Sequence, residues 1–136
     1  MNKQAYYRVS VKGIVIDQDG RILLARESDN TWDMLGGGLD HNEDPKDCLK
    51  REVQEETGLI ITHISESPRY FITAERPDKN VFIANVIYEI ELNDLAFTSS
   101  DECEELRFLS IEDMQGVTLA PNVQKLLQIL TQPTNY

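Results

Sequence analysis

At 136 residues, 40% hydrophobic and 27% charged, the chain can bury one sizeable core, which argues for a single domain over residues 1–136 and against disorder. A formal net charge of -11 disfavours long nucleic acid as a partner, although a bound divalent metal can reverse the local sign for a small anionic substrate. With no apolar run near eighteen residues, no secretory-type N-terminus and no metal-type pairing of Cys48 and Cys103, we expect no membrane span and no disulfide framework, and a cytoplasmic location.

The first element is an alternating, Val- and Ile-rich stretch from about Tyr6 to Ile16, which predicts a strand. Asp19-Gly20 signals a tight turn, and Arg21 to Ala25 follows as a second strand, so the pair reads as a hairpin. Trp32 to Leu35 predicts a short strand, broken by Gly36-Gly37-Gly38. Asp44-Pro45-Lys46-Asp47 is a helix start with a capping Asp and Pro at the first helical position, and Gly58 is the matching stop. Leu59–Ile64, Arg69–Ala74 and Val81–Leu92 read as strands, with a polar loop over Arg76–Asn80. Leu106–Leu109 reads as a short strand, Ser110 to Asp113 as a new helix cap, and Pro121–Leu130 as a terminal helix with apolar residues at helical spacing. Mixed strands around two or three helices predict an α/β (α+β) sandwich.

The helix from Pro45 carries an electrostatic anomaly. Glu52, Glu55 and Glu56 fall at i, i+3 and i+4 and share a face, while Leu49 and Val53, with Cys48 as a small buried hydrophobe, form the core stripe. Arg51 lies four before Glu55 and can partner it. Glu52 has no basic residue three or four positions away, and its i+4 neighbour is Glu56. Such a like-charge pair costs roughly 0.2–0.5 kcal/mol, and Glu56 also sits at the helix end where the dipole disfavours anions. A solvated acidic face is the plain explanation. A hard divalent cation with oxygen ligands is the functional one. A calcium EF-hand over Asp40 to Arg51 is excluded, because Pro45 stands where Gly is needed and Arg51 where the bidentate Glu is needed. Zinc is not expected, since His41 and His63 are isolated.

From Gly37 the chain reads GGLDHNEDPKDCLKREVQEETGL with its first glycine at 37 and its last residue at Leu59. Gly37, Glu43, Arg51-Glu52, Val53, Glu55-Glu56, Gly58 and Leu59 match every fixed position of G-x5-E-x7-R-E-U-x-E-E-x-G-U, and on this the chain resembles the Nudix hydrolase family. The lead-in ILLAR, the Trp before the glycines, and Glu102 to Met114 are similar to the family's pattern more weakly. Many members have Pro where this chain has Leu35, and Gly where it has Asn42; Asn tolerates the left-handed turn.

The resemblance implies the Nudix fold, a mixed central sheet packed between helices. It also implies Mg²⁺- or Mn²⁺-dependent hydrolysis of the pyrophosphate link in a nucleoside diphosphate joined to another moiety. By position in the box, Glu52, Glu55 and Glu56 are the expected metal ligands, with the Gly36 carbonyl beside them, and Glu52 or Glu55 is the alternative general base. Arg51 and Glu43 are the expected orienting pair. Glu102 and Glu105, in the acidic run Asp101–Glu105, are the candidate outside ligands. Arg26, Gly37, Gly38 and Asn122 are candidate substrate contacts. Tyr70 and Phe71 are weighed as base-stacking residues against ordinary core aromatics. The substrate is a small nucleotide, either a nucleoside triphosphate or ADP-ribose-like, and the protein a monomer or homodimer. The alternative is a non-catalytic Nudix-fold binding or regulatory module; such modules usually lose box carboxylates, and this chain keeps them all.

Overall fold

The structure, a computed structural model, describes residues 4–132. Its centre is a mixed sheet built on β1 (Arg8–Ile14) and β7 (Val81–Leu92), which run parallel. β4 (Leu35–Gly38) flanks β1 antiparallel. On the other side the long β7 is shared, with β6 (Tyr70–Arg76) on its first half and β5 (Ile61–Ile64) on its last residues, both antiparallel. A second, antiparallel sheet has the order β3 (Trp32–Asp33), β2 (Ile22–Arg26), β8 (Glu105–Leu109).

Helix α1 (Pro45–Thr57) covers one face of the mixed sheet, where Leu49 and Val53 meet Val11, Leu35, Tyr88 and Ile90. Helices α2 (Ile111–Gln115) and α3 (Pro121–Thr131) cover the other, where Met114, Val123 and Leu126 meet Ile14, Ile72 and Ile87. Strand alternation explains the division, since Val11 and Ile14 differ by an odd number of positions and point to opposite faces. The fold is a sheet between helices, as the sequence predicts.

The predicted hairpin of the first two strands is only a turn. Asp17 and Arg21 share a backbone hydrogen bond of 3.0 Å and Ile16 bridges Ile22, but β1 and β2 then enter different sheets. The reason is competition: β1 is taken on both edges by β4 and β7, and β2 by β3 and β8. The glycines also do not break a strand. The interruption falls at Met34, and Leu35–Gly38 continues as β4, pairing Lys12 with Gly36 and Ser10 with Gly38. Gly36 has φ +116°, and a Cβ there would lie 2.1 Å from the Val11 carbonyl oxygen, so the residue permits close pairing where a side chain would prevent it. The predicted loop at Arg76–Asn80 contains a short 3₁₀ turn, Pro77–Lys79.

The signals around α1 act as read. The Asp44 carboxylate accepts from the Lys46 and Asp47 N–H groups at 3.0 and 3.4 Å, a cap worth about 1 kcal/mol. The Gly58 N–H closes the helix on the Gln54 carbonyl. Ser110 and Asp113 cap α2 reciprocally.

Candidate active site

Arg51 is the hub of the box. Its Nε and Nη2 donate to the two Glu43 oxygens at 2.8 and 3.0 Å, its Nη1 to Glu52 at 3.1 Å and to Glu55 at 3.3 Å. Nη2 also reaches the Gly38 carbonyl at 3.4 Å. Glu43 in turn accepts from the Asp40 N–H, and Asn42 takes the left-handed conformation with φ 64°. The loop before α1 is thereby fastened to the helix by one bidentate charge pair. Hydrogen bonding from Arg51 holds the Glu43 carboxyl down to about 2 and raises the guanidinium in return.

The box glutamates divide by depth. Glu56 is buried, three residues beyond Val53 and seven beyond Leu49, so it continues the core stripe rather than the wet face. Its Oε1 accepts from the Gly36 N–H at 3.2 Å. Desolvation pushes its carboxyl up to about 8, against the pull of Lys12 and with further push from Glu52 and Glu102. Glu52 is half-buried under β4, and a Cβ on Gly37 would lie 2.6 Å from its carboxylate. Burial raises its affinity for the proton, while Arg51 opposes this. Glu55 is mostly exposed and bound to Arg51.

Carboxylate oxygens of Glu52, Glu56 and Glu102 lie within 4.8 Å of one another. Glu102 arrives from a distant loop that is tied to the end of α1. The Ser100 hydroxyl donates to the Glu56 carbonyl at 2.9 Å, the Thr98 N–H to the Thr57 carbonyl at 2.9 Å, and a tight turn joins Ser100 to Cys103. Three carboxylates from two segments, one of them desolvated, form a donor set that suits a hard divalent cation.

The structure leaves other expected residues outside this trio. Glu105 and Arg26 stand opposite each other on the β2–β8 ladder; Arg26 binds Glu105 at 3.3 Å and Glu104 at 3.6 Å, and Glu105 also accepts from Arg107. Neither lines the cleft of about 400 Å³ that holds the trio, and Glu55 is also not among its lining residues. Gly36, Gly37 and Gly38 do line it. The Gly36 carbonyl accepts from the Lys12 ammonium at 3.1 Å. Asn122 lies in a small extension shared with Lys12 and Asp33, and its Nδ2 donates to the Asn85 Oδ1 at 3.2 Å. Tyr70 packs against the core and Phe71 is 66% exposed; neither lines the cleft.

Lys12 is the residue that pattern reading missed. It is 8% exposed, donates to the Met34 and Gly36 carbonyls and pairs with Asp33 at 3.6 Å. Burial lowers its proton affinity, but Asp33, Glu56 and Glu27 together overcome this, so it is held charged. A lysine inside an otherwise buried strand, Val11–Ile14, was the available signal.

No helix among the described residues is long and apolar enough to cross a membrane. A protein described as MutT-like from Streptomyces ambofaciens is 48% identical over 56 residues, covering 40% of this chain and 36% of that protein. The chain thus spans about a third of the length of the first curated relatives it matches. The nucleoside triphosphatase NudI of Escherichia fergusonii is 24% identical over 85% of this chain and 91% of its own length. Among solved structures, the MutT NUDIX hydrolase from Burkholderia pseudomallei matches with a TM-score of 0.76 at 20% identity, covering 93% of this chain and 99% of that one, a likeness of fold. Residues 6–130 match the NUDIX domain, so this chain belongs to the Nudix family.

Proposed function

We propose that the chain is a divalent-metal-dependent pyrophosphohydrolase that cleaves the pyrophosphate link of a nucleoside diphosphate joined to another group. The observation that supports it most is the Glu52–Glu56–Glu102 trio at one wall of a cleft large enough for a nucleotide's phosphates. A MutT-like relative and a relative named as a nucleoside triphosphatase agree with this reading.

In this reading Glu52, Glu56 and Glu102 would hold Mg²⁺, or Mn²⁺ in its place, with the Gly36 carbonyl as a further candidate donor. When bound, such an ion neutralises phosphate oxygens and lowers the pKa of water. To serve as a ligand Glu56 would have to lose its proton, and the Lys12 ammonium and the Gly36 N–H favour its charged form. Arg51, clamped by Glu43, fixes the direction of Glu52. Glu52, which lines the cleft, and Glu55, which is open to water beside it on Arg51, are the two candidates to accept the proton of the attacking water. Gly37 and Gly38 keep the strand beside the trio free of side chains, and Asn122, in the small neighbouring pocket, is a candidate contact for a distal part of the nucleotide. Nucleoside triphosphates and ADP-ribose-like compounds are the substrates to test.

A nucleotide panel with Mg²⁺, reading which bond is cleaved in wild type, Glu55→Gln and Glu56→Gln, tests the proposal. We expect losses of at least a hundredfold in kcat. Activity unaltered in both variants would sink the mechanism, and tight nucleotide binding with no turnover in wild type would favour the non-catalytic module.

A further inference from the structure

The cleft that holds the trio is also lined by basic residues. Strand alternation puts Arg8, Ser10 and Lys12 of β1 on one face of the mixed sheet. The registers Arg8↔Ile83, Ala74↔Ile83 and Arg76↔Val81 place Arg76 of β6 on that same face. Lys79 joins them from the end of the 3₁₀ turn, and all four basic residues line the cleft that holds the trio.

Their charges are answered unequally. Lys12 is satisfied by Asp33 and two carbonyls. Among the described residues, Arg8 reaches an acid only in Asp40 at 3.9 Å, and Arg76 only in Asp78 at 3.5 Å. Lys79 has no acidic partner among the described residues. Arg76 is close enough to Lys12 and Glu27 to act on the charge of both. In a chain of net charge -11, three cations with loose or no acidic partners therefore line one cleft, beside the carboxylates of Glu27, Asp33 and the trio. A bound phosphate would give these three a counter-charge. A carboxylate-held cation cannot serve every phosphate of a longer chain, so a further phosphate needs cations of its own.

We propose that Arg8, Arg76 and Lys79 form a phosphate subsite in the cleft that also holds the carboxylate trio, on the other side of the glycine strand β4 from Glu52, and that it binds a substrate phosphate beyond the pair that flanks the cleaved bond. This rests on the pyrophosphohydrolase reading given above. The subsite makes Arg76 and Lys79 selectivity residues: they favour a substrate with three or more phosphates over a diphosphate joined to a neutral sugar.

The experiment compares the di-, tri- and tetraphosphates of one nucleoside, with Mg²⁺, in wild type, Lys79→Gln, Arg76→Lys and the double variant Arg76→Gln/Lys79→Gln. The ratio of kcat/KM for tri- over diphosphate should fall about tenfold or more in the double variant, through KM, and stay near wild type in Arg76→Lys. An unchanged ratio in the folded double variant would overturn the proposal. Calorimetry of the full chain with inorganic tripolyphosphate and pyrophosphate provides a reading without turnover. Wild type should bind tripolyphosphate more tightly than pyrophosphate, and the double variant should lose that preference. If wild type cleaves no nucleotide, the pyrophosphohydrolase reading fails. Calorimetry then decides the subsite alone, with equal preference in both proteins counting against it.

Discussion

Arg51 and Glu43 meet in a two-pronged pair, Nε to Oε2 at 2.8 Å and Nη2 to Oε1 at 3.0 Å, that fastens the loop before α1 to the middle of that helix. The pair holds Glu43 ionised down to about 2, well below its ordinary 4.5. A depressed carboxyl gives its stabilisation above the unfolded pKa and loses it as pH falls through the folded one. The melting temperature of wild type should thus exceed that of Glu43→Gln at pH 6, and the gap should close between about pH 4.5 and 2. A gap that is constant with pH would mean the pair does not act through its charge.

Glu56 predicts the opposite slope. Its folded carboxyl, near 8, binds the proton more tightly than the unfolded one at 4.5. Its contribution is therefore full below about 4.5 and disappears as pH rises through 8. Metal-free wild type should lose thermal stability from pH 5 to 8 relative to Glu56→Gln, and adding Mn²⁺ at pH 7 should release protons, read as a buffer-dependent heat in calorimetry. No proton release would exclude Glu56 as a ligand that ionises on binding.

Gly36 and Gly37 are neighbours that should fail differently. A methyl group at Gly36 meets the Val11 carbonyl at 2.1 Å with the backbone at φ +116°, so Gly36→Ala should cost about 3 kcal/mol or more of stability. A methyl group at Gly37 meets the end of the Glu52 side chain at 2.6 Å, which can swing away. Gly37→Ala should fold with a melting point within a few degrees of wild type and lose at least tenfold in Mn²⁺ affinity. Equal melting-point losses in the two variants would contradict this division.

Lys12 and Asp33 form a buried pair, so removing one partner leaves the other unpaired. Lys12→Met should cost about 3 kcal/mol in urea unfolding, and Asp33→Asn in the same background should recover part of it. Additive losses would show that the two charges are not coupled.

The sequence made α1 legible from end to end, because its cap, its Pro, its apolar spacing and its stop are all local signals. The box residues were legible too, through the resemblance of their spacing from Gly37 to Leu59 to a family pattern. What local signals could not reveal is which strand pairs with which. β1 and β2 are joined by a good turn, yet their edges are claimed by strands far along the chain. The depth of Glu56 was present in the spacing, since 49, 53 and 56 are one stripe, but an acidic residue invites a solvent assignment. Glu102 was distinguished from Glu105 only by tertiary structure. Strand alternation turns Glu105 into the ladder with Arg26, while the turn at Ser100–Cys103 delivers Glu102 to the helix end. Lys12, carrying no motif, was visible only as a charge in a buried strand.

The division of β1 and β2 between two sheets also sets a timetable. β1 cannot find its parallel partner until Ile83 and its neighbours exist, and β2 must wait for Leu109. At a synthesis rate of about 5–20 residues per second, the buried segment Val11–Ile14 stays without its parallel partner for roughly four to fifteen seconds after it is made. During that interval α1 has only β1 and β4 to lie on, and a helix of 13 residues is marginal by itself. The acidic helix therefore acquires its surroundings in stages: Glu56 meets Gly36 from the first half of the chain, and Glu102 and Ser100 only once the distal half exists.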